Sequence, residues 1–175
     1  MTARRRPGRR GRRLPPLAWA AAAFVLLGIT AALTVYGALF RPGPELHVRT
    51  AAGAEVLRVP LRTDPTWEIR RVDAATGVAV RDIYAWIAGR MLLTDTLTPR
   101  LDVAGLGDAV ARGEIRDDGE GGHWIAHIDA PVPDDVHWLR VGSERMATVL
   151  VHGAREYDLS ETHPGERLRL EVVTP

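Results

Sequence analysis

The sequence predicts a mostly β protein, an N-terminal single transmembrane helix followed by an antiparallel β-sandwich or partly open β-barrel. Three observations predict it. Arg4, Arg5, Arg6, Arg9, Arg10, Arg12 and Arg13 precede a run from Leu17 to Phe40 whose one ionisable group is the Tyr36 phenol. Beyond Glu45, short runs rich in Val, Ile, Trp and Tyr are broken by turn residues every eight to twelve positions. In the last of these, Leu168, Leu170 and Val172 alternate with Arg167, Arg169 and Glu171, the period of a strand with one buried face.

Residues 1–16 read as a cytoplasmic arginine-rich tail and 17–40 as the anchor. A helix of that length is about 36 Å long at 1.5 Å per residue, enough for a hydrocarbon core of about 30 Å with some tilt. Positive charge on the amino-terminal flank places that end in the cytoplasm, and everything after Phe40 across the cytoplasmic (inner) membrane. A cleaved secretory signal is the alternative. The run is longer than a usual apolar region of about 7–15 residues, and Val35–Phe40 puts bulky residues where a cleavage site wants small ones. Trp19 and Tyr36 would occupy the two interfacial belts. Gly28 and Ala32 form a small-xxx-small pair within an Ala-rich span.

Residues 41–45 are a stiff linker, because Pro42 and Pro44 cannot continue a helix. Residues 46–175 are then one extracytoplasmic β-domain, large enough for one core. The net charge of +1 hides a split. All seven tail arginines lie before the span, and the remainder holds 16 Arg against 22 Asp plus Glu. An acidic domain argues against nucleic-acid binding, which needs a basic face. The tail suits anionic headgroups, so the bilayer is the first expected partner. The chain has no Lys, Asn, Gln or Cys. Disulfides, thiolate metal sites, Schiff-base lysines and Asn-linked glycans are therefore excluded.

Strands are expected at Leu46–Thr50, Glu55–Leu61, Thr66–Val72, Ala79–Ile87, Met91–Thr96, His123–Asp129, Val136–Val141, Ala147–Val151, Glu156–Leu159 and Arg167–Val173. Pro60, Pro65, Pro99, Pro131, Pro133 and Pro164 fall at the ends of these runs, where a missing N–H does little harm. Asp102–Gly122 is rich in acids and glycine and poor in large apolar residues. It reads as a long loop, with one helical turn at Asp108–Arg112, and as the first place to seek a binding surface.

Several constellations are candidates for chemistry. His123 and His127 would share a helix face, but four residues along a strand separate them by about 13 Å, too far for one metal ion. The strand reading lines up His123, Ile125, His127 and Asp129 on one face. His127 and Asp129 could pair, with His137 joining from the next strand, and solvent-facing histidines are the plainer reading. Ser143 lacks the second glycine of a nucleophile elbow and looks like a turn residue, and Ser160 an end-of-strand one. Asp117-Asp118-Gly119-Glu120 resembles part of a calcium loop without the alternating ligands or closing glutamate. No catalytic, cofactor-binding or metal-binding residue is assigned, and no enzyme activity is expected. Trp67, Trp86, Trp124 and Trp138 are expected to build the core, an aromatic ligand wall being the alternative.

The outer domain resembles a bacterial family known as domain of unknown function 1850. Trp67-Glu68-Ile69-Arg70 leading into Thr76–Tyr84 looks like that family's strand–turn–strand with a terminal acid and aromatic. Ala104-Gly105-Leu106 looks like its Gly-Ala-Gly-Leu-Pro segment, and Leu139–Gly142 and Tyr157–Leu159 like its late strands. The chain departs from the pattern at Asp73-Ala74, where the family has His-Ser, at Gly107 in place of proline, and near Thr148 in place of a late histidine. The resemblance implies an accessory role beside tripartite ATP-independent periplasmic transporters of the TAXI type, docking to the permease or the solute-binding protein. The alternatives are a membrane-anchored small-molecule or metal-binding sensor domain, and a membrane-anchored hydrolase using His127, Asp129 or His137.

Overall fold

The computed structural model describes residues 27, 29–30, 42–74, 76–103, 107–143 and 146–175. The chain divides into two units, Met1–Pro42 and Gly43–Pro175. In the first, Leu27, Ile29 and Thr30 are helical. No helix among the described residues is long and apolar enough to cross a membrane. The tail and nearly all of the expected anchor, with Trp19, Gly28, Ala32 and Tyr36, lie outside the described residues.

The second unit is mostly β and antiparallel. In chain order its elements are β1 (Glu45–Thr50), β2 (Glu55–Pro60), β3 (Thr66–Val72), β4 (Ala79–Ile87), β5 (Arg90–Thr98) and α1 (Gly107–Arg112). Then come β6 (Glu114–Asp117), β7 (His123–Ala126), β8 (Ala130–Pro131), a 3₁₀ turn at Pro133–Asp135, and β9 (Val136–Arg140). β10 (Thr148–His152), β11 (Arg155–Asp158), α2 (Leu159–Thr162) and β12 (Arg167–Val173) complete it. One sheet has the order β2-β1-β12-β9, the other β11-β10-β3-β4-β5-β7-β6 with β8 also on β5. Neither closes into a barrel.

Local chemistry accounts for the hairpins. The β4–β5 turn places both Ala88 and Gly89 at positive φ, 51° and 78°, the two-residue turn whose twist suits a hairpin. Between β3 and β4, Asp73 Oδ1 accepts from the Thr76 amide and hydroxyl, and the Gly77 amide donates to the Asp73 carbonyl. α2 starts where Asp158 accepts from the Ser160 and Glu161 amides at 2.9 and 3.0 Å.

The sheets share a core. Leu46 and Val48 of β1 and Leu168 and Leu170 of β12 join Trp67 and Ile69 of β3, Met91 of β5 and Leu150 of β10 in one buried cluster. Each large side chain so buried contributes about 1.5–3 kcal/mol relative to exposure. Smaller clusters, Val80 with Val103 and Ile125 with Ile128, flank it. Val110 of α1 packs against both.

Four expectations are corrected. The ladder of β7 stops at Ala126, because His127 and Asp129 take positive φ of 56° and 45°, so the expected face through Asp129 does not form. Within Asp102–Gly122 the expected helical turn is present as α1, but the rest is not all loop, since it also contains β6. All four residues of β6 are exposed, so it lacks the apolar alternation by which a strand is recognised. Leu159 opens α2 instead of ending a strand, which lets Ser160 point inward. Of the four tryptophans expected in the core, Trp67 is buried and Trp86 packs against the core, but Trp124 and Trp138 are exposed.

Candidate functional site

Period-two geometry turns Val80, Asp82 and Tyr84 of β4 to the face that packs on the core, and Val80, Asp82 and Tyr84 are all buried. A carboxylate among apolar residues on a buried face must find partners. Thr96 sits directly across on β5 and donates its hydroxyl to Asp82 Oδ1 at 2.9 Å. Arg71 of β3 donates Nε–H to Oδ2 at 3.2 Å. The Arg71 side chain is 27% exposed and that of Asp82 10%, so one face of the pair reaches solvent. Asp82 is the only partner that Arg71 has among the described residues. Its other guanidinium N–H groups have no hydrogen-bond partner among the described residues.

A register shift between Ile83 and Tyr84 sets the next inward residue. Tyr84 stacks on Trp67 of β3, ring centroids 5.9 Å apart, and meets His137 of β9 at 4.9 Å on its other neighbourly contact. The Tyr84 hydroxyl and His137 Nδ1 are 3.5 Å apart, a polar link between the two sheets. Burial, helped by the nearby Asp82 charge, pushes the Tyr84 phenol well above its ordinary range. Burial also lowers the His137 imidazole below 6.5; Asp82 opposes this and Arg71 adds to it. Both groups are therefore neutral near pH 7 and act as dipoles rather than charges.

Arg71 forms part of the wall of an open cleft of about 400 Å³, with Asp73, Arg140, Ser143 and Thr148. Thr148 lies directly across from Arg71 on β10. It is locked in place twice: its hydroxyl accepts from the Gly142 amide at 2.9 Å, and its own amide donates to Ser160 Oγ at 2.7 Å. Gly142 is required there, because a Cβ would run into the Met146 carbonyl oxygen. The cleft thus has a guanidinium held by a buried carboxylate, a second arginine and the exposed Ser143 as donors, beside the Asp73 carboxylate, and the arginines are the groups that would hold a small carboxylate. A larger cavity of about 440 Å³ lies by Arg81, Asp118 and Glu120. Its Arg81 is already engaged by Glu68 at 2.6 Å, so it offers less free hydrogen-bonding capacity.

The residues weighed from sequence are dispersed. His123 is on β7, His127 and Asp129 follow it on exposed left-handed backbone, and His137 belongs to the other sheet, turned to Tyr84. Ser143 is exposed in the loop after β9, and Ser160 is buried and serves Thr148. Asp117 and Asp118 spend their carboxylates on the β6–β7 turn, accepting from the amides of Gly119, Glu120 and Gly122 at 2.8 Å. Among the described residues no three of His, Cys, Asp and Glu are grouped to hold a metal ion. Nothing in the sequence singles out Arg71 or Thr96. Their signal was available only at Asp82, a carboxylate in phase with Val80 and Tyr84; nothing local points from it to β3 and β5.

The fold and site define a two-sheet antiparallel β-domain with an arginine-floored cleft. Comparison with family models, with characterised proteins and with solved structures finds no match to this chain.

Proposed function

We propose that this chain is a single-pass protein of the cytoplasmic (inner) membrane whose extracytoplasmic β-sandwich is an accessory subunit of a TAXI-type tripartite ATP-independent periplasmic transporter. In this reading the Arg71 cleft handles the small organic anion that the transporter carries, and the domain docks to the permease or the solute-binding protein. The observation that carries it is the cleft: an arginine fixed by a buried aspartate, with free donors open to solvent. Asp73, Ala74 and Thr148, three of the four positions where the chain departs from the family it resembles, line it; Gly107 does not. Positions far apart in sequence thus meet around one volume, as a ligand site requires. The role is one of binding, and no catalytic residue is assigned.

Affinity purification of the full-length tagged protein in mild detergent tests the partner. Stoichiometric recovery of a many-helix permease or its binding protein is expected. Recovery of the protein alone, from membranes that contain such a transporter, counts against the accessory role. The cleft itself equally suits a stand-alone small-molecule-binding domain, which that second outcome would favour. Thermal-shift measurements with small carboxylates then read the cleft directly, with Arg71→Gln expected to abolish any shift.

A further inference from the structure

The outward face of the smaller sheet carries a charge arrangement that cross-strand energetics disfavours. β12 lies between β1 and β9. The register sets Arg169 opposite Arg49 on one side and Trp138 on the other, and Arg167 opposite Arg140. Like charges directly opposite are destabilising in an antiparallel pair. Glu171 answers two of the four arginines, with Arg49 at 3.6 Å and Arg169 at 2.5 Å. Glu55, opposite Arg49, is taken by Arg58 at 2.7 Å, and Arg58 also reaches Glu45 at 3.7 Å. Arg140 and Arg167 have no carboxylate partner among the described residues. Arg167 instead lies over the Trp138 ring, 4.4 Å from its centroid. The Nε atoms of Arg49 and Arg169 are buried without a hydrogen-bond partner.

The larger sheet contains an internal control. There Arg70 stands opposite Arg81, and Glu68 binds both at 2.7 and 2.6 Å while Glu156 takes Arg70 at 2.6 Å. That rung has two carboxylates for two arginines; on the smaller sheet Glu171 alone answers Arg49 and Arg169, and Arg140 with Arg167 has none among the described residues. An excess of arginine persists on one face of a domain whose total charge is acidic, which calls for an external anion.

Position and shape select the anion. Trp138 and Val173 on the same face are 44% and 40% exposed. Tryptophan beside arginine is the pairing favoured at a headgroup interface. β1 belongs to this sheet and begins at Glu45, five residues after the end of the span read from the sequence. On the anchored reading, a tether of five residues, about 18 Å at most when extended, ties this domain to the bilayer.

We propose that this arginine–tryptophan face docks on anionic phospholipid headgroups of the outer leaflet. The phosphates supply the negative charge that the like-charge rungs lack, and Trp138 seats at the interface. The inference rests on the membrane-anchored reading above.

The absence of cysteine makes Val173→Cys a single labelling position on this face. The spin-labelled full chain would be placed in nanodiscs of phosphatidylcholine, with or without phosphatidylglycerol. Collision of the label with an aqueous nickel chelate should fall several-fold in the anionic discs alone and recover at high salt. Each arginine lost should weaken docking about five-fold, so the R167Q/R169Q variant should restore full collision in anionic discs. That variant relieves the repulsion across both rungs and gives up the Arg169–Glu171 pair and the Arg167–Trp138 contact, while Glu171 keeps Arg49, so its melting temperature should change little, which separates docking from folding. A label equally accessible in both discs, or still protected in R167Q/R169Q, overturns the proposal. So does protection that appears only when a membrane extract is added, which would assign the face to a protein partner. A chain that fails to elute with the discs overturns the anchor reading instead.

Discussion

At the residue scale the informative pair is Arg71 with Asp82. The two partners differ in exposure, 27% against 10% of the side chain, so losing either should not cost the same. Asp82→Asn leaves a guanidinium that solvent can partly serve, and should cost about 2 kcal/mol. Arg71→Gln leaves a buried carboxylate with only Thr96 to answer it, and should cost about 3–5 kcal/mol. Urea unfolding of both variants checks the order; equal losses would mean the pair is not screened as its exposure indicates. His137 sets a pH dependence. Above about 6.5 the ring is neutral in folded and unfolded chains and contributes nothing. As pH falls below that value the unfolded chain takes the proton first, because burial lowers the folded ring's affinity for it. Stability should therefore decline from about pH 6.5 down to the depressed folded value and then level off. Melting temperatures across that window should show the decline in the native chain and a flatter profile in His137→Phe.

At the scale of elements, the turns hold the cleft open. Gly142→Ala would press a methyl into the Met146 carbonyl, so the loop between β9 and β10 must shift. A loss of about 1–3 kcal/mol is expected, with weakened carboxylate binding. An unchanged melting temperature together with unchanged binding would show that this loop does not shape the cleft. Strands with one buried face were legible from sequence: in β12 Leu168 and Leu170 are fully buried as the alternation requires. β6 and β8 were not legible, the first because nothing in it is buried, the second because it is two residues long and ends in proline. β7 was extended too far because left-handed backbone at His127 and Asp129 leaves no mark in the pattern of residue types. Asp129 and His127 are residue types that take positive φ more often than most, whereas Ala88 shows that turn geometry can impose it elsewhere.

At the scale of the whole molecule, the distribution of charge carries the argument twice. The split between a tail of seven arginines and an acidic remainder is a property of the chain, as is the lack of Lys, Asn, Gln and Cys. The second split, between an arginine rung that two carboxylates answer and rungs that one or none answers, exists only after folding. Arg49, Arg140, Arg167 and Arg169 are scattered through a length of more than a hundred residues, and only the order β1-β12-β9 makes them neighbours. The same holds for Trp138. An aromatic residue in a strand was expected inward, but the register turns His137 to the core beside Leu170 and Trp138 outward beside Arg169. A one-residue choice of phase decides which of the two is buried, and flanking residue types do not reveal it.

The sequence by itself determined the mostly β class, most strand positions, the turns and the chemistry that the chain cannot perform. Those follow from local periodicity, backbone preference and the inventory of side chains. Tertiary structure alone decided that Arg71, Asp82 and Thr96 form one network, that Tyr84 meets His137 across the sheets, and that Thr148 faces Arg71 over a cleft. The reason is that register and sheet facing are settled by long-range burial of apolar surface, which acts between strands and is not written in any one of them.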